Sequence, residues 1–418
     1  MNMQHLLRFL LKRRLSGITD DDAYSGDALS ADAFHKKHAT TLGKVEGGKL
    51  RERLQKYYAI DGRTDACVIC IPEGPYRPHV YYNQNLFPAL NDQAAQHVWN
   101  AKAGMNKRTP ASHALAFRYL DLALQQHPNH LRILALKALA HLNRAMFNNL
   151  HPRVELEAAE RIIRSLHAQG ALPWEAWLAD ACIKHVLHWE WEKAMASYEK
   201  AITLSHGEAK FYHSWFVQLL ACQGRLREAI AILRTGIEHF AHDLPTIRGD
   251  LAILQIMAGE FSDAEETINT TLAIFPAEPY LAYTNLAILH EARGDFAEAA
   301  RTIQQIPIDS PEGLIVMGLR FAFIGLAGDK AAARQGFEQL KAARQSEFVP
   351  ALHIGMAALG SQDYDAAVHW LTEGAVVERD PICVWANILP FLRHLRGHKG
   401  FCSLVTETMR LKFFSEII

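Results

Sequence analysis

The sequence predicts a mainly all-α protein in which a small N-terminal domain precedes a long array of helical hairpins. Residues 1–83 lack the repeat that organises the rest of the chain, and they end in two runs of residues that favour β-strands. A glycine stands five residues before four members of a series of alanines. Those alanines recur every 34 or 35 residues, at Ala194, Ala229, Ala264, Ala299, Ala333 and Ala367.

Length and composition exclude several classes of protein. The chain has 418 residues, of which 49% are hydrophobic and 21% charged, values that argue against a disordered, collagen-like or coiled-coil chain. The length exceeds one compact core and predicts two or three domains or one extended array. With 44 Lys and Arg against 45 Asp and Glu, the net charge of −1 does not by itself indicate a nucleic-acid or membrane partner.

Cysteine usage and hydropathy predict a cytoplasmic protein without a membrane partner. Six cysteines are too sparse for a disulfide framework. Cys67 and Cys70 form a CxxC motif, but in a strand their side chains point to opposite faces, and zinc would need a second pair of ligands. The basic residues of MNMQHLLRFLLKRRLSG follow its apolar stretch, which makes it a poor signal peptide. The longest apolar run contains Arg320 and is too short to span a bilayer.

The repeated alanines predict a helix-turn-helix unit. A glycine between two helical segments is a common helix stop, and a small residue lets the second helix approach the first. The glycines are Gly224, Gly259, Gly294 and Gly328. A large apolar residue follows each alanine by four positions, at Tyr198, Leu233, Ile268, Ile303, Phe337 and Leu371.

The period of about 34 residues resembles that of the tetratricopeptide repeat (TPR). Pro276 follows Ala264 by twelve residues, as in that repeat, and irregular helix pairs around Ala116 and Ala158 extend the array over residues 91–418. The resemblance implies a right-handed α-α superhelical TPR solenoid whose concave groove holds a protein or peptide partner. We expect the repeated alanines and aromatic residues to be core packing.

The last part of the sequence resembles the closing stretch of many bacterial repeat regulators. The resemblance rests on a proline-containing turn and on Leu395 and Arg396 followed by Phe401. A terminal cap needs a polar outer face. We expect that face to consist of Arg393, His394, Arg396, His398 and Lys399.

The N-terminal region is basic and the rest of the chain is acidic. Residues 1–83 carry 13 Lys and Arg against 10 Asp and Glu, whereas the rest of the chain carries 31 against 35.

One helix concentrates basic residues of this region. Residues 44–58 have helical periodicity, with an apolar stripe beside a basic one. The apolar stripe consists of Leu50, Leu54, Tyr57 and Tyr58, and the basic stripe of Lys49, Arg53 and Lys56. This helix therefore has one face to pack and one face to present to a partner.

A β-hairpin is predicted after this helix by ACVICIPEGPYRPHVYY, in which a Pro-Glu-Gly-Pro turn separates two extended runs. A basic helix followed by a hairpin is typical of a winged helix. The string VEGGKLRERLQKYYAIDGRTDACVICIPEGPYRP closely resembles the winged-helix module of bacterial regulators and adenylate-cyclase-like proteins that also carry TPRs. The upstream LLRFLLKRRLSG resembles the first helix of that module.

The resemblance implies a DNA-binding surface. Cationic side chains on a recognition helix mostly neutralise phosphates, and Lys49 and Arg53 are placed to reach base edges. The implied DNA-binding residues are Lys44, Lys49, Arg51, Arg53 and Lys56 on or beside the recognition helix, and Arg77 near the tip of the wing.

Several residues depart from the pattern of that family. Glu73 stands where the wing usually has lysine, and Glu52 interrupts a run of arginines. Gly43, Gly47 and Gly48 weaken the start of the helix, by up to about 1 kcal/mol each relative to alanine. Two hypotheses therefore stay open: a DNA-binding transcriptional regulator whose solenoid binds a partner, or a TPR interaction scaffold whose winged helix no longer binds DNA.

The predicted domains are a winged-helix domain over 1–83, a connector over 84–90 and the solenoid with its cap over 91–418. No phosphate-binding, dinucleotide-binding or hydrolase motif occurs in the sequence, and the cyclase domain of some relatives is missing. His185 and His188, like His394 and His398, have helical spacing but lack the neighbouring carboxylate of a zinc motif. We therefore expect no enzyme activity, catalytic residues, cofactor or metal.

Overall fold

The computed structural model describes most of the chain. The described residues are 3–15, 21–29, 32, 40–59, 67–71, 76–82, 90–105, 109–147, 150–170, 172–205, 215–239, 245–276, 279–308 and 311–413.

The N-terminal region combines helices with one antiparallel pair of strands. The strands pair so that Cys67 lies opposite Tyr82 and Cys70 opposite His79. The elements are α1 (Met3–Leu15), a 3-10 turn (Asp21–Tyr24), α2 (Gly26–Ala28), α3 (Thr40–Ala59), β1 (Cys67–Cys70) and β2 (His79–Tyr82).

This region has a hydrophobic core of its own. Helices α1 and α3 both contribute to it, and the backbone N–H of Tyr76 donates to the carbonyl of Tyr24 at 2.8 Å. The buried members are Leu6, Leu10, Tyr24, Leu29, Leu50, Ile71 and Tyr76. Within the described part of the chain, this core is separate from the core of the repeats. The assignment as a winged helix and the domain limits stay predictions.

Gly47 is the point at which α3 meets the segment that leads into β2. The ring of Tyr76 covers this glycine, and its hydroxyl donates to the carbonyl of Lys44 at 3.2 Å. A Cβ atom at position 47 would lie 2.5 Å from two ring carbons of Tyr76, which is too close. The glycine thus provides the room in which the aromatic ring packs.

Eight helix pairs follow within the described residues, and they form a helical-repeat solenoid. The pairs are α4 (Asp92–Met105) with α5 (Pro110–Gln126), α6 (Leu131–Phe147) with α7 (Pro152–His167), α8 (Trp174–Ile183) with α9 (Trp191–Leu204), α10 (Trp215–Cys222) with α11 (Leu226–His239), α12 (Pro245–Met257) with α13 (Phe261–Ile274), α14 (Tyr280–Ala292) with α15 (Phe296–Ile303), α16 (Pro311–Leu326) with α17 (Lys330–Ala343), and α18 (Ala351–Gly360) with α19 (Tyr364–Thr372). Strand β2 lies against α9. Among the described residues, no helix is long and apolar enough to cross a membrane.

The packing of the six periodic repeats follows the sequence prediction. All six repeated alanines and all six large apolar residues that follow them are buried. The four predicted stop glycines have positive φ, a backbone conformation that glycine adopts without strain. In an earlier, irregular pair the buried alanine is Ala159, whereas the predicted Ala158 is half-buried.

The chain after α19 is irregular. It contains two short 3-10 helices, one short α-helix and two π-type turns. These are Glu373–Glu378 (π), Pro381–Trp385 (3-10), Pro390–Leu395 (3-10), α20 (Lys399–Ser403) and Leu404–Thr408 (π). A residue in the left-handed conformation follows each π-type turn. Arg379 comes directly after the first turn, and Arg410 comes two residues after the second.

Residues 381–413, hereafter the C-terminal segment, fill the concave side of the solenoid. The first helices of successive pairs line a concave surface in such repeats. Two of those inner helices are fully covered, since every residue of α10 and of α18 is buried. Phe391 lies against Phe323 of α16, with ring centroids 6.4 Å apart. The structure thus differs from the expected open groove, because the chain supplies its own occupant.

The end of the array also contacts its second and third helix pairs. Arg153 of α7 donates from Nε to the carbonyl of Val377 at 2.5 Å and from Nη2 to that of Val376 at 2.6 Å. The guanidinium of Arg379 stacks on the ring of Trp189 at 3.7 Å. The solenoid between the second and the eighth pair is therefore closed.

The two adjacent glycines of α3 provide a matched test of the packing at Tyr76. We expect Gly47→Ala to destabilise the N-terminal region by about 1–3 kcal/mol, because the new methyl group overlaps the ring. Gly48→Ala should stabilise it by roughly 0.5–1 kcal/mol, since a Cβ there meets nothing within 4 Å and alanine favours the helix. Hydrogen exchange of the α3 amides measures both effects. Equal shifts in the same direction would contradict the packing described here.

Candidate functional site

The predicted basic stripe lies on the solvent-facing side of α3. Lys49, Arg53 and Lys56 are all exposed. Their spacing of four and three residues places them within one narrow sector of the helix. The structure thus brings together three of the six predicted DNA-binding residues.

The opposite side of α3 packs into the N-terminal core. Leu50 is buried and Leu54 is half-buried against it. Tyr57, which was predicted to belong to the same apolar stripe, is instead 42% exposed and contacts the edge of Tyr58 at 5.1 Å. Leu54 is the last residue of α3 that packs on this core, and Tyr57 lies beyond it in the final turn of the helix.

Acidic side chains reduce the charge of this face. Lys49 donates to Glu46 at 2.8 Å, one turn earlier, although its side chain is 55% exposed. Glu52 is exposed beside Arg53. An exposed ion pair of this kind contributes little to stability, so Lys49 can exchange its partner for a phosphate at small cost.

The other three predicted residues lie elsewhere. Lys44 is exposed and Arg51 is half-buried, and helical geometry puts both on a flank well removed from Lys49. Arg77 is half-buried next to the core. Burial raises the pKa of the neighbouring Tyr24 hydroxyl, and Arg77 is one of three arginines that oppose this shift. Glu73 lies outside the described residues.

A second candidate site lies where the C-terminal segment meets α14. Glu291 is fully buried, and its Oε2 accepts from Nη1 of Arg393 at 2.8 Å. Nε2 of His394 lies 3.1 Å from its Oε1. Arg393 and His394 were predicted to face outward in the cap, and this prediction is wrong. Both side chains turn inward because a buried carboxylate needs a charged or hydrogen-bonding partner.

The rest of the predicted polar cap is mixed. Lys399 is exposed, and His398 pairs with the exposed Asp365 at 2.8 Å. Arg396 stacks near Phe413, with its guanidinium carbon 5.7 Å from the ring centroid. Only the last residues of the predicted set therefore give the segment a polar outer surface.

Amide side chains attach the C-terminal segment to α10. Nε2 of Gln218 donates a hydrogen bond to the carbonyl of Pro381 at 3.3 Å. Nε1 of the Trp385 indole donates one to the carbonyl of Gln218 at 3.2 Å. Nδ2 of Asn387 donates to the carbonyls of Cys222 and Lys412, each at 2.8 Å. The segment thus contacts the inner helices through backbone carbonyls and polar side chains, as a bound peptide does.

A cavity of about 780 Å³ opens where the segment leaves the groove. It is bounded by residues 189–193 on one side and 410–412 on the other. Nε1 of Trp191 donates to the carbonyl of Met409 at 2.9 Å in its wall. This opening gives solvent access to the end of the segment.

One sequence signal for the filled groove was missed. Inner helices that faced an open groove would carry polar residues on that side, yet α10 reads WFVQLLAC and α18 reads ALHIGMAALG. A helix that is apolar all round is a buried helix. The composition of these two helices therefore indicated that something covers their concave side.

Two acids lie buried beside the closure of the array. Glu378 pairs with Arg344 at 2.5 Å and accepts from the backbone N–H of Ala351 at 2.9 Å. Burial, with a smaller contribution from the Glu378 charge, raises the pKa of Asp380 to about 7, although its carboxylate accepts from the N–H of Ile382. Among the described residues, no cation opposes the cost of burying Asp380.

The histidine pairs singled out in the sequence do not share a ligand. His185 is buried, which lowers its pKa to about 3, whereas His188 lies 3.0 Å from Glu160. His394 and His398 contact different carboxylates. In the part of the chain that the structure describes, no group of three His, Cys, Asp or Glu side chains is arranged to hold a metal ion.

The repeated helix pairs, their buried alanines and their left-handed glycines define a helical-repeat protein. A family profile for the tetratricopeptide repeat matches residues 220–284. The chain therefore contains tetratricopeptide repeats, and such repeats indicate a role in protein–protein interaction.

Two solved structures match the chain at low identity. Yeast Tom70 is 14% identical, with a TM-score of 0.41 over 98% of this chain and 85% of that chain. The TPR domain of P58(IPK) is 11% identical, with a TM-score of 0.20 over 73% of this chain and 99% of that chain. No curated protein matches the sequence. No functional inference follows from these similarities.

Asp380 makes the stability of the repeat domain depend on pH. Because its folded pKa lies near 7, above the ordinary carboxyl value of 3.8, the folded chain holds a proton that the unfolded chain releases. The contribution of Asp380 to stability should therefore fall as pH rises toward 7, by about 1 kcal/mol between pH 6 and 8. Burial of His185, whose pKa is lowered to about 3, changes the total stability in the opposite direction over this range. Urea unfolding of the wild type and of an Asp380 variant at both pH values isolates the Asp380 contribution.

Asp380→Asn should remove the Asp380 contribution, so the variant should gain about 1 kcal/mol relative to the wild type between pH 6 and 8, since the amide oxygen still accepts from Ile382 and cannot ionise. Asp295→Asn is the matched control, because Asp295 is exposed and its side chain makes no capping bond. An equal pH dependence in the wild type and in the Asp380 variant would contradict this assignment.

Proposed function

We propose that the protein is a DNA-binding regulator in which the exposed face of α3 contacts the phosphates of duplex DNA and the repeat domain binds a protein partner. The observation that carries the proposal is the row of Lys49, Arg53 and Lys56 on a helix whose opposite side is held in a core. A rigidly mounted row of cations matches the regular charge of a DNA backbone.

The position of the glycine contact supports the same proposal. Tyr76 attaches α3 to the strand pair through Gly47, so helix and hairpin move as one unit. Strand β2 in turn lies against α9 of the repeats. The closed repeat domain then serves as a rigid mount that fixes how the basic face is presented to DNA.

The second candidate function is a TPR scaffold that binds proteins only. The ion pair between Lys49 and Glu46 and the exposed Glu52 favour it, because both reduce the positive charge of the face. In this case the N-terminal region would act as a packing module for the repeats.

Binding to a random-sequence DNA duplex separates the two candidates. If three phosphates are contacted, affinity should fall roughly 40-fold between about 50 and 200 mM salt. Arg53→Ala and Lys56→Ala should each weaken binding and lower the logarithmic salt slope by about one. Fluorescence anisotropy of a labelled duplex measures both quantities.

Lys330→Ala is the control, since Lys330 is an exposed lysine on α17 of the repeat domain. Glu52→Lys should strengthen binding by adding a cation to the same face. No binding at low salt, or an equal loss in the Lys330 variant, would contradict DNA contact through α3 and favour the scaffold.

A further inference from the structure

Glu291 is an unusual residue for the inner surface of this solenoid. Most residues of α14 that face inward are apolar, yet this carboxylate is fully buried. Both side chains that neutralise it come from the C-terminal segment, about a hundred residues further along the chain. The inner surface thus carries a charge that only an occupant of the groove can satisfy.

The contact between the segment and the groove is imperfect. Oε1 of Gln218 and Oδ1 of Asn387 are buried without a hydrogen-bond partner among the described residues. The segment is built from two 3-10 helices, the short helix α20 and one π-type turn rather than from a further repeat. Arg379 and Arg410, both in the left-handed conformation, mark positions near its two ends where the backbone changes direction.

We propose that the C-terminal segment is an intramolecular ligand that leaves the groove as a unit, and that a protein partner competes for the vacated groove. The partner would present an apolar anchor followed closely by a basic pair that faces Glu291. This inference rests on the protein-interaction role of the repeats and names both the surface and the chemistry that it recognises.

The seated segment shows what the groove accepts. Phe391 fills the apolar position against Phe323, and Arg393 follows two residues later to reach Glu291. His394 completes the pair and also lies near the ring of Phe296, at 6.1 Å. A competing peptide therefore needs an aromatic or large aliphatic residue, then arginine, then a second hydrogen-bond donor.

Hydrogen exchange of the full chain tests whether the segment opens on its own. Residues 381–413 should exchange together and faster than the outer helices, and Arg393→Ala should accelerate them about 100-fold, because it leaves a buried carboxylate unpaired. His394→Ala, a milder change, should accelerate them roughly tenfold and covers the case in which the arginine variant does not fold. Arg334→Ala, which removes an exposed pair with Asp363, is the control and should have no effect on the segment.

A labelled peptide of residues 387–397 tests the competition. It should bind full-length R393A or H394A chain at least tenfold more tightly than the wild type, and a peptide with alanine in place of Arg393 should not bind. Glu291→Gln combined with His394→Ala should abolish binding. Exchange of the segment only by global unfolding of the repeats would overturn the proposal. Faster exchange without peptide binding would overturn the competition and leave the interaction role intact, because that role can use another surface.

Discussion

Burial of the inner helices, against their neighbours in the array and against the residues that follow α19, is the interaction on which the repeat domain depends. Every residue of α10 and of α18 is buried, although an open groove would leave one side of each in water. Residues 373–378 lie against α18, and the C-terminal segment lies against α10 and α14. The repeats and their occupant therefore form one hydrophobic core rather than a chain of nearest-neighbour contacts.

This arrangement changes how a signal could pass through the molecule. An open superhelix responds to a ligand by changing its curvature, whereas a closed and filled one resists such a change. Arg153 and Arg379 join the last helix pair to earlier ones, so the proposed competition requires the C-terminal segment to move rather than the array. The basic face of α3 is likewise fixed by Tyr76, and regulation would act on access to a surface rather than on its shape.

The sequence was sufficient for the features that repeat. The spacing of the alanines and glycines predicted the helix pairs, because each of these residues has a local reason to be small. The inward turn of Arg393 and His394 was not predictable in this way, since their partner Glu291 lies about a hundred residues away and only the fold brings them together. Tyr57 was misplaced for a different reason: helical periodicity gives the direction of a side chain but does not give how far along the helix the core extends. The exposed positions of Lys49 and Arg53 on α3 followed from the helical spacing, whereas contact of these residues with DNA stays a proposal.

The closure through Arg153 has a consequence for how such a protein can change over time. An open solenoid can gain or lose a repeat, because each unit contacts only its neighbours. Here the carbonyls of Val376 and Val377 both accept from the guanidinium of Arg153 in α7. These groups meet only if a fixed number of helix pairs lies between them. Insertion or deletion of a single helix pair would separate these groups, so the count of repeats in the closed part is set by geometry.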